Sequence, residues 1–144
     1  MPRAMKSPHL PEFSLTPNDY GWSAQLPGSP RLFGHEVFME IHTRLIPSEP
    51  KVLPPVSRSQ ASLVRSLIPA LPSLLQRVES ELRAYNQKID PDFHKVIRRP
   101  HIWLSSESDD GVSWTFVVGR TDNPDFGCDL EFRGTEFIQL CTGD

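Results

Sequence analysis

The residues in this chain best suited to chemistry are carboxylates. Glu107, Asp109, Asp110, Asp122, Asp125 and Asp129 crowd one C-terminal stretch rich in turn residues. Clustered carboxylates repel one another, so on loops they are either solvated or matched to a positively charged partner. Asp109, Asp110, Asp122, Asp125 and Asp129 are therefore the expected contact residues for a basic protein. The run from Asp122 to Asp129 has a superficial likeness to a calcium loop, but with Gly127 set at the sixth position, Pro124 and Phe126 occupy ligand positions and Arg133 the twelfth. A polar turn between strands is the better reading.

Other chemistries are poorly served. His35 and His42 are seven apart, which on one strand puts them on opposite faces, so they cannot chelate one ion together. His94 and His101 share that spacing with Pro100 between them, and each histidine is expected in a surface or hydrogen-bonded structural role. There is no Gly-x-Ser-x-Gly elbow, and the eight glycines are scattered singly, so no loop cradles a phosphate. Cys128 and Cys141 have no basic neighbour in sequence to lower their pKa and match no zinc spacing, which points to free structural thiols. No catalytic residue, metal or cofactor is expected. Lys95, Arg98, Arg99 and the helix arginines could meet phosphates, but at a pI of 5.9 a solvated face laced with ion pairs is the favoured reading.

The elements that must position these groups follow from apolar periodicity. Leu63, Leu67, Leu71, Leu74, Leu75, Val78, Leu82 and Tyr85 recur at steps of three and four, the stripe of a helix that docks on a sheet. Ser57 or Ser59 can cap it, and Pro69 and Pro72 predict either a kinked helix or two abutting ones. Arg77 with Glu81, and Glu79 with Arg83, stand four apart on its outer side. Before it, Phe13 to Leu15 and Tyr20 to Leu26 read as short strands. From His35 to Ile46, Val37, Met39, Ile41, Thr43 and Leu45 alternate with Glu36, Phe38, Glu40, His42 and Arg44. Four prolines between residues 47 and 56 predict an extended linker. After Pro100, four segments (His101 to Ser105, Val112 to Gly119, Cys128 to Arg133 and Glu136 to Cys141) form an antiparallel meander. Trp103 and Trp114 on adjacent strands are expected to pack in the core or across strands. In the last hairpin, a three-residue loop pairing Leu130 with Ile138 and Cys128 with Leu140 keeps apolar residues on one face.

Together these predict an α+β domain over residues 13–144, an antiparallel sheet of five to seven strands with one kinked helix or a helix pair on one face, preceded by a flexible or extended tail through residue 12. At 144 residues the chain suits one domain with one core. The formal net charge of −3 offers no overall case for nucleic acid. Its distribution is polarised, since residues 51–100 hold nine Lys/Arg against four Asp/Glu and residues 101–144 two against nine. No apolar run approaches a membrane span or a signal core, so a cytoplasmic location is expected.

Gly21-Trp22, Phe33-Gly34 leading into Val37-Phe38-Met39-Glu40-Ile41, the helix ending near Tyr85, Ile102-Trp103 and the closing Gly127-x-Asp129-Leu130-Glu131-Phe132 resemble a bacterial family of small uncharacterised domains that look like the immunity proteins of polymorphic toxin systems. The resemblance spans most of residues 13–144 and carries no catalytic residues. It implies an α+β fold and a non-enzymatic binding role. The leading expectation is thus a protein-binding module whose acidic loops at the sheet end engage a basic partner. The alternatives are a small hydrolase or ligand-binding domain with a pocket between helix and sheet, and a structural subunit of a larger assembly.

Overall fold

The structure, a computed structural model, describes residues 5–43, 53–87, 92–106, 111–123 and 127–143. Its strands are β1 (Met5–Ser7), β2 (Leu10–Pro17), β3 (Gly21–Gln25), β4 (Arg31–Leu32), β5 (His35–Glu36), β6 (Phe38–His42), β7 (Ile97–Leu104), β8 (Ser113–Arg120), β9 (Gly127–Arg133) and β10 (Glu136–Gly143). Seven of them form one sheet in the order β2-β3-β6-β7-β8-β9-β10, and the three-residue β1 extends its β2 edge. Helices α1 (Arg58–Leu67) and α2 (Leu71–Asn86) belong to the crossover from β6 to β7. The class is α+β.

Helix α1 starts at a capping box. Ser57 Oγ accepts the Gln60 amide N–H at 3.1 Å and Gln60 Oε1 accepts the Ser57 amide N–H at 3.0 Å, satisfying two otherwise orphaned donors. Gln60 is buried, and its Nε2 donates onward to the carbonyls of His42 at 2.8 Å and Ser105 at 3.3 Å, just at and beyond the ends of β6 and β7. The crossover is thereby fastened to both strands. A 3-10 turn over Ile68–Ala70 joins the two helices, and Pro72 sits in the first turn of α2, where its missing N–H costs no intrahelical bond. The proline pair therefore produces two helices.

The stripe predicted from sequence is largely the buried face. Leu63, Leu67, Leu71, Leu74, Val78 and Leu82 are buried against Met39, Ile41, Ile102, Leu104, Phe116, Val118, Leu130 and Phe132. Leu75 is only partly buried, and Tyr85 is exposed; its place at the end of the stripe passes to Asn86, whose Nδ2 donates to the Leu82 carbonyl at 2.9 Å. Trp114 stacks on Phe132 with centroids 4.4 Å apart and donates its indole N–H to the Gly134 carbonyl. Between β3 and β6 the backbones come so close that a Cβ at Gly21 would run into the Ile41 carbonyl, which only glycine allows. Among the described residues no helix is long and apolar enough to cross a membrane.

Four expectations change. Residues 5–12 are not a free tail: β1 pairs with β2, Leu10 is fully buried, and Glu12 holds Arg65 of α1 through Nε at 2.7 Å. The sheet is not wholly antiparallel, because β6 and β7 run parallel as the helical crossover between them requires. Strand β7 begins before Pro100, at Ile97; a bulge between Arg98 and His101 absorbs the proline that had looked like a break. The β9–β10 hairpin has a two-residue loop in place of three, pairing Arg133 with Glu136 and Phe132 with Phe137. A bulge at Ile138 then restores Leu130 opposite Leu140, so apolar matching is kept by an irregularity in place of a longer loop. Cys128 faces Thr142 and Cys141 faces Asp129; both thiols are free. Glu107, Asp109, Asp110, Asp125 and most of the proline-rich linker lie outside the described residues.

The burial pattern makes two substitutions informative. Leu82→Ala should cost about 2–5 kcal/mol in urea unfolding, with Leu75→Ala costing clearly less. Gln60→Ala should cost about 1–3 kcal/mol by leaving buried partners unpaired.

Candidate functional site

Because α1 and α2 cover one face of the sheet, the side chains that alternate with the core line the other. The parallel register puts Phe38 beside His101 and Glu40 beside Trp103; the row continues through Thr115 and Glu131 to Gln139. A second row runs from His101 through Val117 and Asp129 to Cys141. The result is a broad, half-buried surface of aromatic, imidazole and charged groups.

At its centre is Glu40. One carboxylate oxygen lies 3.6 Å from His42 Nε2 and 3.7 Å from His101 Nε2, and the other 3.8 Å from an Arg99 guanidinium nitrogen. The His101 ring stacks on Phe38 at 5.0 Å, Arg99 lies over the Phe38 ring at 5.3 Å, and His42 contacts Tyr20 at 5.6 Å and Trp103 edge-on at 5.4 Å. His101 Nδ1 donates to the Arg99 carbonyl at 2.7 Å, which fixes the neutral ring with its lone pair on Nε2. Burial lowers the His101 pKa, against the raising effects of that hydrogen bond and of Glu40. Tyr20 is 62% exposed, and the Trp103 indole nitrogen is buried without a hydrogen-bond partner among the described residues. No group of three or more His, Cys, Asp or Glu among the described residues is arranged to hold a metal ion.

Among the described residues, depressions open on this side. A groove of about 740 Å³ lies where β2 turns away from β3 toward β1 and α1, lined by Ser14, Thr16, Gln25, Leu26, Phe38 and Arg99 among others. A hollow of about 300 Å³ is bounded by Trp103, Thr115, Glu131, Arg133 and Ile138. A third, of about 210 Å³, is lined by Glu40, Arg98, Arg99, His101, Val117, Gly119 and Arg120. Between helices and sheet, by contrast, the space near Leu82, Asn86, Phe93, Ile97 and Cys128 is only about 10 Å³.

Of the acidic residues expected to contact a partner, the described ones are Asp122 and Asp129. Asp122 is exposed just beyond β8 and grips Arg120 with two hydrogen bonds of 2.7 and 2.8 Å, which hold its carboxyl below the usual range. Asp129 is on the open face, between Val117 and Cys141. Burial, then the neighbouring charge of Glu131, raises its pKa. Burial likewise pushes the Cys128 thiol up to about 12, leaving it inert.

Sequence reading missed Glu40, His42, His101, Trp103 and Arg99 as one constellation because they meet only through the parallel β6–β7 pairing. The available signal was a strand pattern, a helical segment and another strand pattern, the arrangement that favours parallel neighbours. Trp103 and Trp114 do not pack together, since they point to opposite faces. No protein-family model, curated protein or solved structure matches the chain.

Asp129 has a folded-state pKa above its unfolded value, so the folded state binds that proton more tightly. Its contribution to stability is favourable in acid, lost as pH rises through the raised value, and a net cost at neutrality. Asp129→Asn should therefore raise the thermal midpoint at pH 7, with the gain disappearing below about pH 4 in a pH series of unfolding scans. His101 has the opposite linkage: its lowered folded-state pKa means stability falls as pH drops below about 6.5, and His101→Gln should make that fall shallower.

Proposed function

We propose that this chain is a non-enzymatic, cytoplasmic protein-binding module used in the manner of an immunity protein, and that a basic partner docks on the uncovered sheet face. One observation carries the reading: Asp129 is held half-buried beside Glu131 on an open face, at a cost in stability at neutral pH. Carboxylates so placed gain most from a cationic side chain brought against them. Trp103 and Ile138 border the hollow beside Glu131, and Ile138 is 46% exposed. An aromatic and aliphatic surface beside Glu131 suits an inserted Lys or Arg, because the ring attracts the cation and the carboxylate pairs with it. The two free cysteines accord with a reducing compartment.

The space of about 10 Å³ between helices and sheet near Leu82 and Phe93 is far smaller than the pocket that a hydrolase of the alternative kind would need there. Acidic loops remain a contributor in this proposal, with Asp109, Asp110, Asp122 and Asp125 steering a basic partner at long range and the face providing the contact.

The test is binding of a basic partner, captured at low salt and then quantified as purified protein. Asp129→Lys with Glu131→Lys should weaken affinity at least tenfold and flatten its salt dependence. Reversal at Asp109, Asp110, Asp122 and Asp125 should act chiefly on association rate, without lowering thermal stability. Unchanged affinity in the Asp129/Glu131 variant would remove the face from the account.

A further inference from the structure

The two edges of the sheet are built differently. At one, β1 is three residues long, a short strand of the kind that discourages further pairing. At the other, β10 is eight residues long, and from Phe137 to Gly143 it has neither a proline nor a charged residue. Among the described residues no strand pairs with its outer side. Ile138 is 46% exposed, and Gln139, Cys141 and Thr142 are exposed as well.

The ladder decides which backbone groups of β10 are free. Past the Ser113–Arg133 pair, the Gly134 amide donates to the Val112 carbonyl at 2.7 Å, the pattern of a pair whose own N–H and C=O groups point away from each other. Arg133 therefore turns its groups to β10, and alternation turns those of Glu131, Asp129 and Gly127 the same way. Their partners on β10, Gln139, Cys141 and Gly143, answer them. Leu140 and Thr142 are left with N–H and C=O directed outward, away from the sheet. Such a row is a template for another strand.

Two outward residues two positions apart are complementary to themselves. With a second copy laid antiparallel across a two-fold axis at Cys141, Leu140 of each copy meets Thr142 of the other, and four backbone hydrogen bonds close. Leu140, only partly buried in the single chain, then packs beside Thr142 of the other copy on the helix side. Charge permits the approach, because no residue from Phe137 to Gly143 carries a formal charge. Asp129 is paired with Cys141, so the Asp129 carboxylates of the two copies stand three strand spacings apart, about 14 Å, beyond the Debye length of about 8 Å at physiological salt.

We propose that β10 is a self-association edge, through which two copies of this chain join their sheets across an antiparallel β10–β10 junction. A line of about five residues, about 17 Å of strand, is at the small end of specific interfaces, so the dimer forms reversibly at high chain concentration. The proposal does not rest on the basic-partner reading, which concerns the sheet face and is tested separately at Asp129 and Glu131.

Sedimentation equilibrium of the full chain in reductant, from about 10 μM to about 1 mM, tests it. A reversible monomer–dimer equilibrium is expected, tighter at about 0.5 M than at about 0.05 M sodium chloride because salt screens two copies of like net charge. Thr142→Pro removes an outward donor and leaves the β9 ladder intact, so it should weaken dimerisation about tenfold with the thermal midpoint unchanged. Cys141→Lys sets two like charges on the axis and should have the same effect. On that axis the two Cys141 residues form a pair without mutual hydrogen bonds, with Cα atoms about 4.5 Å apart, inside the span of a disulfide. Diamide should therefore link two chains through Cys141, the two thiols giving up two protons and two electrons to the reagent as one S–S bond forms. Cys141→Ser should lose that product and still dimerise in reductant. A monomer at every concentration overturns the proposal, even one whose β10 edge takes up a strand of another protein. So does a dimer that Thr142→Pro and Cys141→Lys both leave intact, or one that diamide does not link.

Discussion

The amide of Gln60 is the interaction on which the architecture turns. Its oxygen and nitrogen are both engaged, inward to the capping box and outward to the carbonyls of His42 and Ser105. A buried amide in this position is favourable only if every partner is in place, since an unmet donor or acceptor would carry its full desolvation penalty. Satisfying it fixes where the crossover begins relative to both strand ends. That constraint makes β6 and β7 neighbours, which in turn sets Glu40 and His42 beside His101 and Trp103.

From that adjacency the asymmetry of the molecule follows. The helix pair removes one sheet face from water and supplies most of its apolar burial. The other face is left to side chains that are neither fully solvated nor fully packed: a carboxylate between two imidazoles, a tryptophan whose indole nitrogen has no partner among the described residues, and an aspartate whose charge burial disfavours. Polar groups held in such intermediate states reduce stability in the isolated protein, and they cluster where a surface is kept for recognition. The same face is electrostatically divided, with arginines gathered at the β7 bulge and carboxylates along β9.

Much of the fold could be read from the residues. Leucine spacing gave the helix face because a 3.6-residue period has no other simple origin, and the alternation from Val37 to Thr43 placed that strand's core side correctly. Ser57 or Ser59 was legible as a cap, and Pro69 with Pro72 as a kink or a break; the structure uses Ser57 and a 3-10 turn between two helices. Tyr85 misled because a helix end can rotate its last apolar residue out of contact while Asn86 closes its own hydrogen bond to Leu82. The hairpin misled because loop length was used to rescue register, whereas the chain inserts Ile138 as a bulge. The site was far less legible. Its members come from two segments far apart in sequence and meet through the parallel β6–β7 pairing, which only the order of strand, helix and strand signals. Of the acidic residues read as contact groups, the described ones stand in two settings, Asp122 just beyond β8 and Asp129 on the sheet face.

The central claim is that the crossover seats β6 parallel to β7 and so assembles the open-face cluster. Nuclear Overhauser contacts between aromatic rings test it most directly in solution. The account predicts contacts from Phe38 to His101 and from His42 to Trp103, consistent with centroid separations of 5.0 and 5.4 Å. Absence of both, in a protein whose Trp114 and Phe132 rings still show their mutual contact, would contradict it.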